Sequence, residues 1–146
     1  MSAFDTQTQT RLESISGRHP ARALMAEKFL KVALEKGCSV HCAGDGYIGI
    51  NVPLAQSNVR LFHITNSGRL SVLYYMLSGS AEATQANRAH TQSILRSSGL
   101  ALSLVNLKSS SSQETVDLPI QKEVWAKLSG GIGQLIAQIK SANTLS

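Results

Sequence analysis

The middle of the chain, from Cys38 to Leu77, contains almost no charged residue, and its apolar runs with β-branched residues between turn residues are typical of β-strands. Gly44-Asp45-Gly46 interrupts this pattern, and both residue types tolerate the positive φ that a tight hairpin turn requires. Pro53 ends the strand that follows, because it has no N–H to give to a neighbouring strand. The block predicts four strands in a row, over residues 38–43, 47–52, 59–64 and 70–77.

Both faces of the fourth predicted strand are largely apolar. Such a strand is either central in its sheet and covered on each side, or keeps one face for a partner. The block also has no acidic residue between Asp45 and Glu82, where its cationic side chains are Arg60 and Arg69. One face of the fourth strand carries Leu70, Val72, Tyr74 and Met76, and the other carries Ser71, Leu73, Tyr75 and Leu77.

Three segments outside this block repeat their apolar residues with a helical period. The first begins near Pro20, whose fixed φ suits a first helical turn, and ends at Gly37, which readily adopts a left-handed C-terminal cap. Its apolar residues cover more than half of the circumference, so we expect it to contact the sheet and a second element. The other two helices run from Ser80 to about Ser97, with Gly99 as the stop, and from about Pro119, with Asp117 as the cap, to about Ala142.

The first 17 residues consist mostly of Ser, Thr and Gln, with few large apolar side chains. Such a segment does not bury enough apolar surface to offset the entropy lost on ordering, so we predict a flexible N-terminal arm over 1–17. Two more strands, over 100–107 and 115–118, follow the second helix. The sequence therefore predicts a single α+β domain over 18–143. Its antiparallel sheet has about five to six strands, with an N-terminal, a middle and a C-terminal helix packed against it.

The composition agrees with one globular domain. The chain has 146 residues, of which 42% are hydrophobic, and a domain of this length buries roughly two-thirds of its unfolded surface. Two cysteines, no apolar leader and no long uncharged apolar run favour a cytoplasmic protein that does not enter a membrane. The net charge of +5 makes the protein basic, which permits an acidic partner, although only 16% of residues are charged.

Two motifs suggest ligands at first sight. Gly44, Gly46 and Gly49 form G-x-G-x-x-G, but a dinucleotide fold needs a helix directly afterwards, and residues 47–52 are strand-like. A hairpin turn followed by a close-packed Gly49 is the better interpretation. Cys38 and Cys42 lie about 13 Å apart on an extended strand and His41 points the other way, which favours packed thiols over a metal site or a disulfide.

Acid–base chemistry has few candidates. The histidines are scattered, and none has a carboxylate at a spacing that would orient it. Nucleases built from a helix, three strands and a helix hold metal through carboxylates on their second and third strands, and those positions carry none here. The sequence therefore predicts a non-enzymatic protein with no catalytic residue, no metal and no cofactor.

The second helix offers the best nucleic-acid candidate. Arginine and glutamine side chains in a row reach phosphates and base edges from one helix face, although an ordinary solvated face has the same pattern. The helical period predicts an outward face made of Gln85, Arg88, Gln92 and Arg96, and an inward face made of Ala83, Ala86, His90 and Ile94.

The last helix carries a stripe of small residues beside its apolar face. Small residues at helical spacing let another backbone come close, so the stripe is either an internal contact or a self-association face. A break at Gly130-Gly131, giving two shorter helices, is the alternative, since each interior glycine costs about 1 kcal/mol relative to alanine. The stripe consists of Ala126, Ser129, Gly130, Gly133 and Ala137.

The order of elements, helix, strands, helix, strand pair and helix, resembles the layout of small dimeric secretion chaperones and related α+β adaptors. That resemblance implies a binding protein without catalysis. We therefore expect a protein-binding adaptor or small chaperone-like module that acts as a homodimer or other homo-oligomer. A nucleic-acid-binding protein is the alternative expectation.

Overall fold

A computed structural model of the chain describes residues 4–42, 47–54, 58–73, 91–100, 113–118 and 122–144. Within these ranges the architecture is α+β, as predicted, with helices at the start, middle and end of the chain and an antiparallel sheet. The elements are α1 (Thr6–Arg18), α2 (Pro20–Glu35), β1 (Ser39–Cys42), β2 (Ile48–Pro53), β3 (Asn58–Ile64), β4 (Leu70–Leu73), the helical residues 91–97 (α3), β5 (Gln113–Val116) and α4 (Lys122–Thr144).

Helix α1 lies where the sequence predicts a flexible arm. Asp5 caps the helix, because its Oδ1 accepts a hydrogen bond from the backbone N–H of Thr8 at 2.7 Å. Leu12, Ile15 and Thr8 are buried, and their spacing places them on one side of the helix, which packs against α2 and β1. The structure differs from the prediction because these few buried side chains are enough to dock a helix whose other residues are polar.

Helix α2 begins at Pro20 and ends before Gly37, as its sequence predicts. The N–H of Gly37 donates to Leu34 O at 3.1 Å and the N–H of Cys38 donates to Ala33 O at 3.0 Å. With a φ of 95° at Gly37, this is a Schellman motif, in which glycine avoids the steric cost of the left-handed conformation. The wide apolar surface of α2 contacts both the sheet and α1.

The strands of the sheet follow chain order, β1-β2-β3-β4-β5, and each pairs antiparallel with the next. Between β2 and β3 the register shifts: Ile50 lies opposite Phe62, whereas Asn51 lies opposite Arg60, so β3 carries one extra residue, Leu61, in a bulge. Strand β4 lies between β3 and β5, which makes it central, one of the two arrangements that its apolar faces predict.

The main core lies between the sheet and the helices. Phe29 of α2 meets Phe62 of β3 edge to face, with ring centroids 5.1 Å apart, and approaches Trp125 of α4 at 6.5 Å. Helices α2 and α4 therefore share one face of the sheet. The buried side of α4 consists of Trp125, Leu128, Ile132, Leu135, Ile136 and Ile139, the apolar face that its period predicts.

Helix α4 is continuous through Gly130-Gly131, so the alternative of two shorter helices is wrong. The carboxylate of Asp117 accepts a hydrogen bond from Arg69 Nε at 2.9 Å, and the predicted helix start near Pro119, which Asp117 would cap, lies outside the described residues. Helix α3 ends at Gly99, where φ is 106°, as predicted. The predicted turn at 44–46, the start of the second helix and the predicted strand over 100–107 lie outside the described residues, except for Leu100.

Candidate functional sites

The small residues of α4 lie on its outward face. Ala126, Gly130 and Ala137 are exposed, whereas Ser129 and Gly133 are half-buried. A Cβ added at Gly130 would meet nothing within 4 Å, and one added at Gly133 would meet the aliphatic end of Lys36 at 3.4 Å. Among the residues that the structure describes, Gly130 at the centre of the predicted stripe therefore has no close neighbour.

The close internal approach of α4 occurs at the neighbouring glycine instead. A Cβ on Gly131 would fall on Oγ of Ser98 and lie 3.5 Å from Ile94. Ser98 is itself buried, and its hydroxyl donates to Ile94 O at 2.7 Å. The two adjacent glycines thus have different surroundings: Gly131 lets α3 pack closely on α4, and Gly130 faces outward.

The predicted nucleic-acid face is only partly visible. Gln92 is 4% exposed, so its side chain does not belong to an outward row with Arg96, which is exposed. The inward assignment of Ile94 is confirmed, since it is buried with Leu95. Gln85 and Arg88 lie outside the described residues, so nucleic-acid binding by this helix remains a prediction.

A polar network lies on the face of the sheet that points away from α2 and α4. Arg60 Nε donates to Asn51 Oδ1 at 2.8 Å, and Asn51 Nδ2 lies 3.4 Å from His41 Nδ1. Asn51 is 4% exposed, although it is flanked by polar side chains rather than apolar ones. On the same face, the rings of Tyr47 and His63 stack with centroids 4.6 Å apart.

Gly49 is the centre of this polar face. It lies directly opposite His41 on one side and His63 on the other, so all three share a face. A Cβ on Gly49 would lie 2.5 Å from Cζ of Arg60, which means that the guanidinium occupies the space above this glycine. The expectation of a close-packed Gly49 is therefore confirmed, whereas the predicted turn before it lies outside the described residues.

Sequence reasoning did not find this network. The available signal was an isolated cation, Arg60, in a block without acidic residues. What the sequence could not supply is the bulge, since the shift at Leu61 is what sets Arg60 opposite Asn51 and next to Gly49.

Neither Cys38, which is buried, nor Cys42, which is half-buried, forms a disulfide. Burial raises the pKa of the Cys38 thiol to about 11, partly opposed by the charge of Lys140. Across the ranges that the structure describes, no group of three His, Cys, Asp or Glu side chains is arranged to hold a metal ion.

A shallow groove of about 220 Å³ runs between the start of α2 and the end of β5. Its floor is apolar, and Asp117 at its rim pairs with Arg69 and, at 4.0 Å, with Arg22. Arg22 also donates to the carbonyl of Ser67 at 3.3 Å, which ties α2 to the β3–β4 turn. These charges are engaged in holding the elements together. The groove is lined by Ala21, Arg22, Met25, Gly68, Asp117 and Leu118.

Comparison of the chain with protein-family models, with curated proteins and with solved structures finds no match. Among the described residues, no helix has the length and apolar character needed to cross a membrane.

Proposed function

We propose that the chain is a non-enzymatic protein-binding module, of the adaptor or small-chaperone type, that works as a homodimer through the outward face of α4. The observation that carries this proposal is the exposed glycine at the centre of that face. Gly130 costs the helix about 1 kcal/mol relative to alanine, and no neighbour within 4 Å requires its small size.

The surrounding residues extend the same surface. Ala126, Gly130, Gly133 and Ala137 follow one another at about one-turn intervals, so the outward face has a shallow strip along about three turns of helix. A strip of this shape lets a second helix approach to a short interaxial distance. A two-fold symmetric dimer is the commonest form of homo-oligomer, and in it the same strip of each partner would form the interface.

The proposal is tested with purified protein by light-scattering mass over a concentration series. We expect the wild type to have the mass of a dimer and the variant Gly130→Leu to have that of a folded monomer, because the longer side chain fills the strip. The matched control is Gly17→Leu, since Gly17 is also an exposed helical glycine with nothing within 4 Å. The control should keep the mass of the wild type.

Circular dichroism of each variant shows whether it is folded, and Ala137→Leu repeats the test at a second exposed position of the strip. A wild type that stays monomeric at every concentration refutes the homodimer. So does a folded Gly130→Leu variant of unchanged mass. A nuclease-sensitive excess of absorbance at 260 nm in the wild type would favour the nucleic-acid alternative.

A further inference from the structure

We propose that the sheet face that points away from α2 and α4 binds an oxyanion, a carboxylate or a phosphate group, at the guanidinium of Arg60. This site lies on the far side of the sheet from α4 and is independent of the homodimer proposed above. It is built by Arg60, Asn51 and Gly49, with His41 and His63 on either side of the glycine.

The guanidinium of Arg60 packs directly on the backbone of Gly49. Its Cζ, Nη2 and Nε atoms lie 2.5, 2.8 and 2.9 Å from the place where a Cβ of Gly49 would be. The planar group thus occupies the gap that glycine leaves between the two histidine positions. Any other residue at position 49 would push it out.

A hydrogen bond to Asn51 sets the orientation of the guanidinium. Its Nε–H is held by Asn51 Oδ1 at 2.8 Å, and the burial of Asn51 restricts that amide in turn. The Asn51 amide also lies 3.4 Å from His41 Nδ1. An arginine held in this way loses little side-chain entropy when it binds a ligand.

Among the described residues, Arg60 donates one side-chain hydrogen bond, to Asn51. A guanidinium has five N–H donors, and the bond to Asn51 uses the one on Nε. Within the part of the chain that the structure describes, the ion pairs are made by other cations, and no carboxylate contacts Arg60. The two Nη groups are suited to two parallel hydrogen bonds with a carboxylate or phosphate.

A half-buried cation on a polar face favours an anionic ligand, because charges removed from bulk water are normally paired. Among the acidic residues that the structure describes, Asp5 interacts electrostatically with His41 of this face. Its carboxylate faces His41, whose charge contributes to lowering the Asp5 pKa, but the main cause is the hydrogen bond from Thr8. Asp5 is therefore engaged as the cap of α1, and the ion pairs of the described residues do not include Arg60.

The test is a titration of ¹⁵N-labelled protein with inorganic phosphate and, in a separate arm, with acetate, at constant ionic strength in chloride. We expect saturable shifts of the Arg60 Nε–Hε signal and of the Gly49 amide in at least one arm. The arm that saturates at lower concentration identifies the preferred oxyanion. The variant Arg60→Gln should weaken binding by about tenfold or more, since hydrogen bonds to charged groups are the strong ones.

Two further variants distinguish this site from general attraction to a basic protein. Arg69→Gln, which removes an arginine already paired with Asp117, should leave phosphate and acetate affinity unchanged. Gly49→Ala keeps Arg60 but displaces its guanidinium, and should weaken binding as Arg60→Gln does. Equal titration of the wild type and Arg60→Gln would overturn the proposal, as would linear shifts spread over all arginines. If Arg60→Gln does not fold, the Gly49→Ala result decides.

Discussion

Gly68, in the turn between β3 and β4, is a residue whose identity is set by both backbone and packing. Its φ is 80°, and an added Cβ would lie 2.8 Å from Cβ of Arg22 and 2.9 Å from Cγ2 of Ile15. We expect Gly68→Ala to lower the free energy of unfolding by roughly 2 kcal/mol, since a non-glycine residue in this conformation is strained and no space exists for the methyl group. Chemical denaturation measures the change.

Gly17→Ala is the matched control for that substitution. Gly17 lies in α1 with nothing within 4 Å of an added Cβ, so alanine there should be neutral or stabilise by as much as about 1 kcal/mol. Equal effects of the two substitutions would contradict the different surroundings of these glycines.

Asp5 gives α1 a pH-dependent contribution to stability. The backbone N–H of Thr8 is the main cause that lowers the pKa of this carboxyl below its usual value. A carboxyl with a lowered pKa in the folded state stabilises the fold fully above its unfolded pKa, and loses that contribution as pH falls through the folded pKa. Denaturation of the wild type and of Asp5→Asn across the acidic range should therefore converge at low pH. A gap that stays constant down to low pH would argue against the cap.

Single residues also show how far the sequence predicts the structure. Gly37 and Gly99 were identified as helix stops because glycine is the residue that adopts positive φ without cost, and both do so. Arg60 and Asn51 were not paired in advance, because their contact depends on a bulge that no residue type encodes by itself. Local conformation is thus readable from the sequence, whereas a contact that depends on register is not.

At the scale of elements, α1 is the clearest departure from expectation. We predict that Ile15→Ala lowers the free energy of unfolding by about 2–5 kcal/mol, because Ile15 is fully buried and its removal leaves a cavity. Ser14→Ala, at the exposed neighbouring position, should change it by less than about 0.5 kcal/mol. Chemical denaturation of both variants distinguishes a docked helix from a flexible arm, since a flexible arm would make both substitutions neutral.

The polar composition of residues 1–17 concealed this helix. One of its buried positions is held by Thr8 instead of an apolar residue, and Phe4, which is also buried, precedes the cap. Phe4, Thr8, Leu12 and Ile15 are nevertheless spaced as one helix face, after an aspartate in the N-cap position. The periodicity and the cap are present in the sequence, whereas the polar composition alone favours a flexible segment.

For the whole molecule, fold class was the most predictable property. Turn residues and apolar periods indicate strands and helices locally. An antiparallel sheet whose strands pair in chain order then follows from the order of those elements. The candidate sites were less predictable. The outward stripe of α4 follows from helical geometry, whereas the polar sheet face arises from three strands brought into one register, which only the assembled fold specifies.

The sequential order of the sheet also has a kinetic consequence. Strands β1 to β4 are joined to their neighbours by short connections, so their pairing closes small loops and loses little chain entropy. The pairing of Leu70 with Val116 joins distant parts of the chain and closes a much longer loop. We therefore expect residues 39–73, with α2 before them, to fold early, and β5 and α4 to dock late on a sheet that already exists.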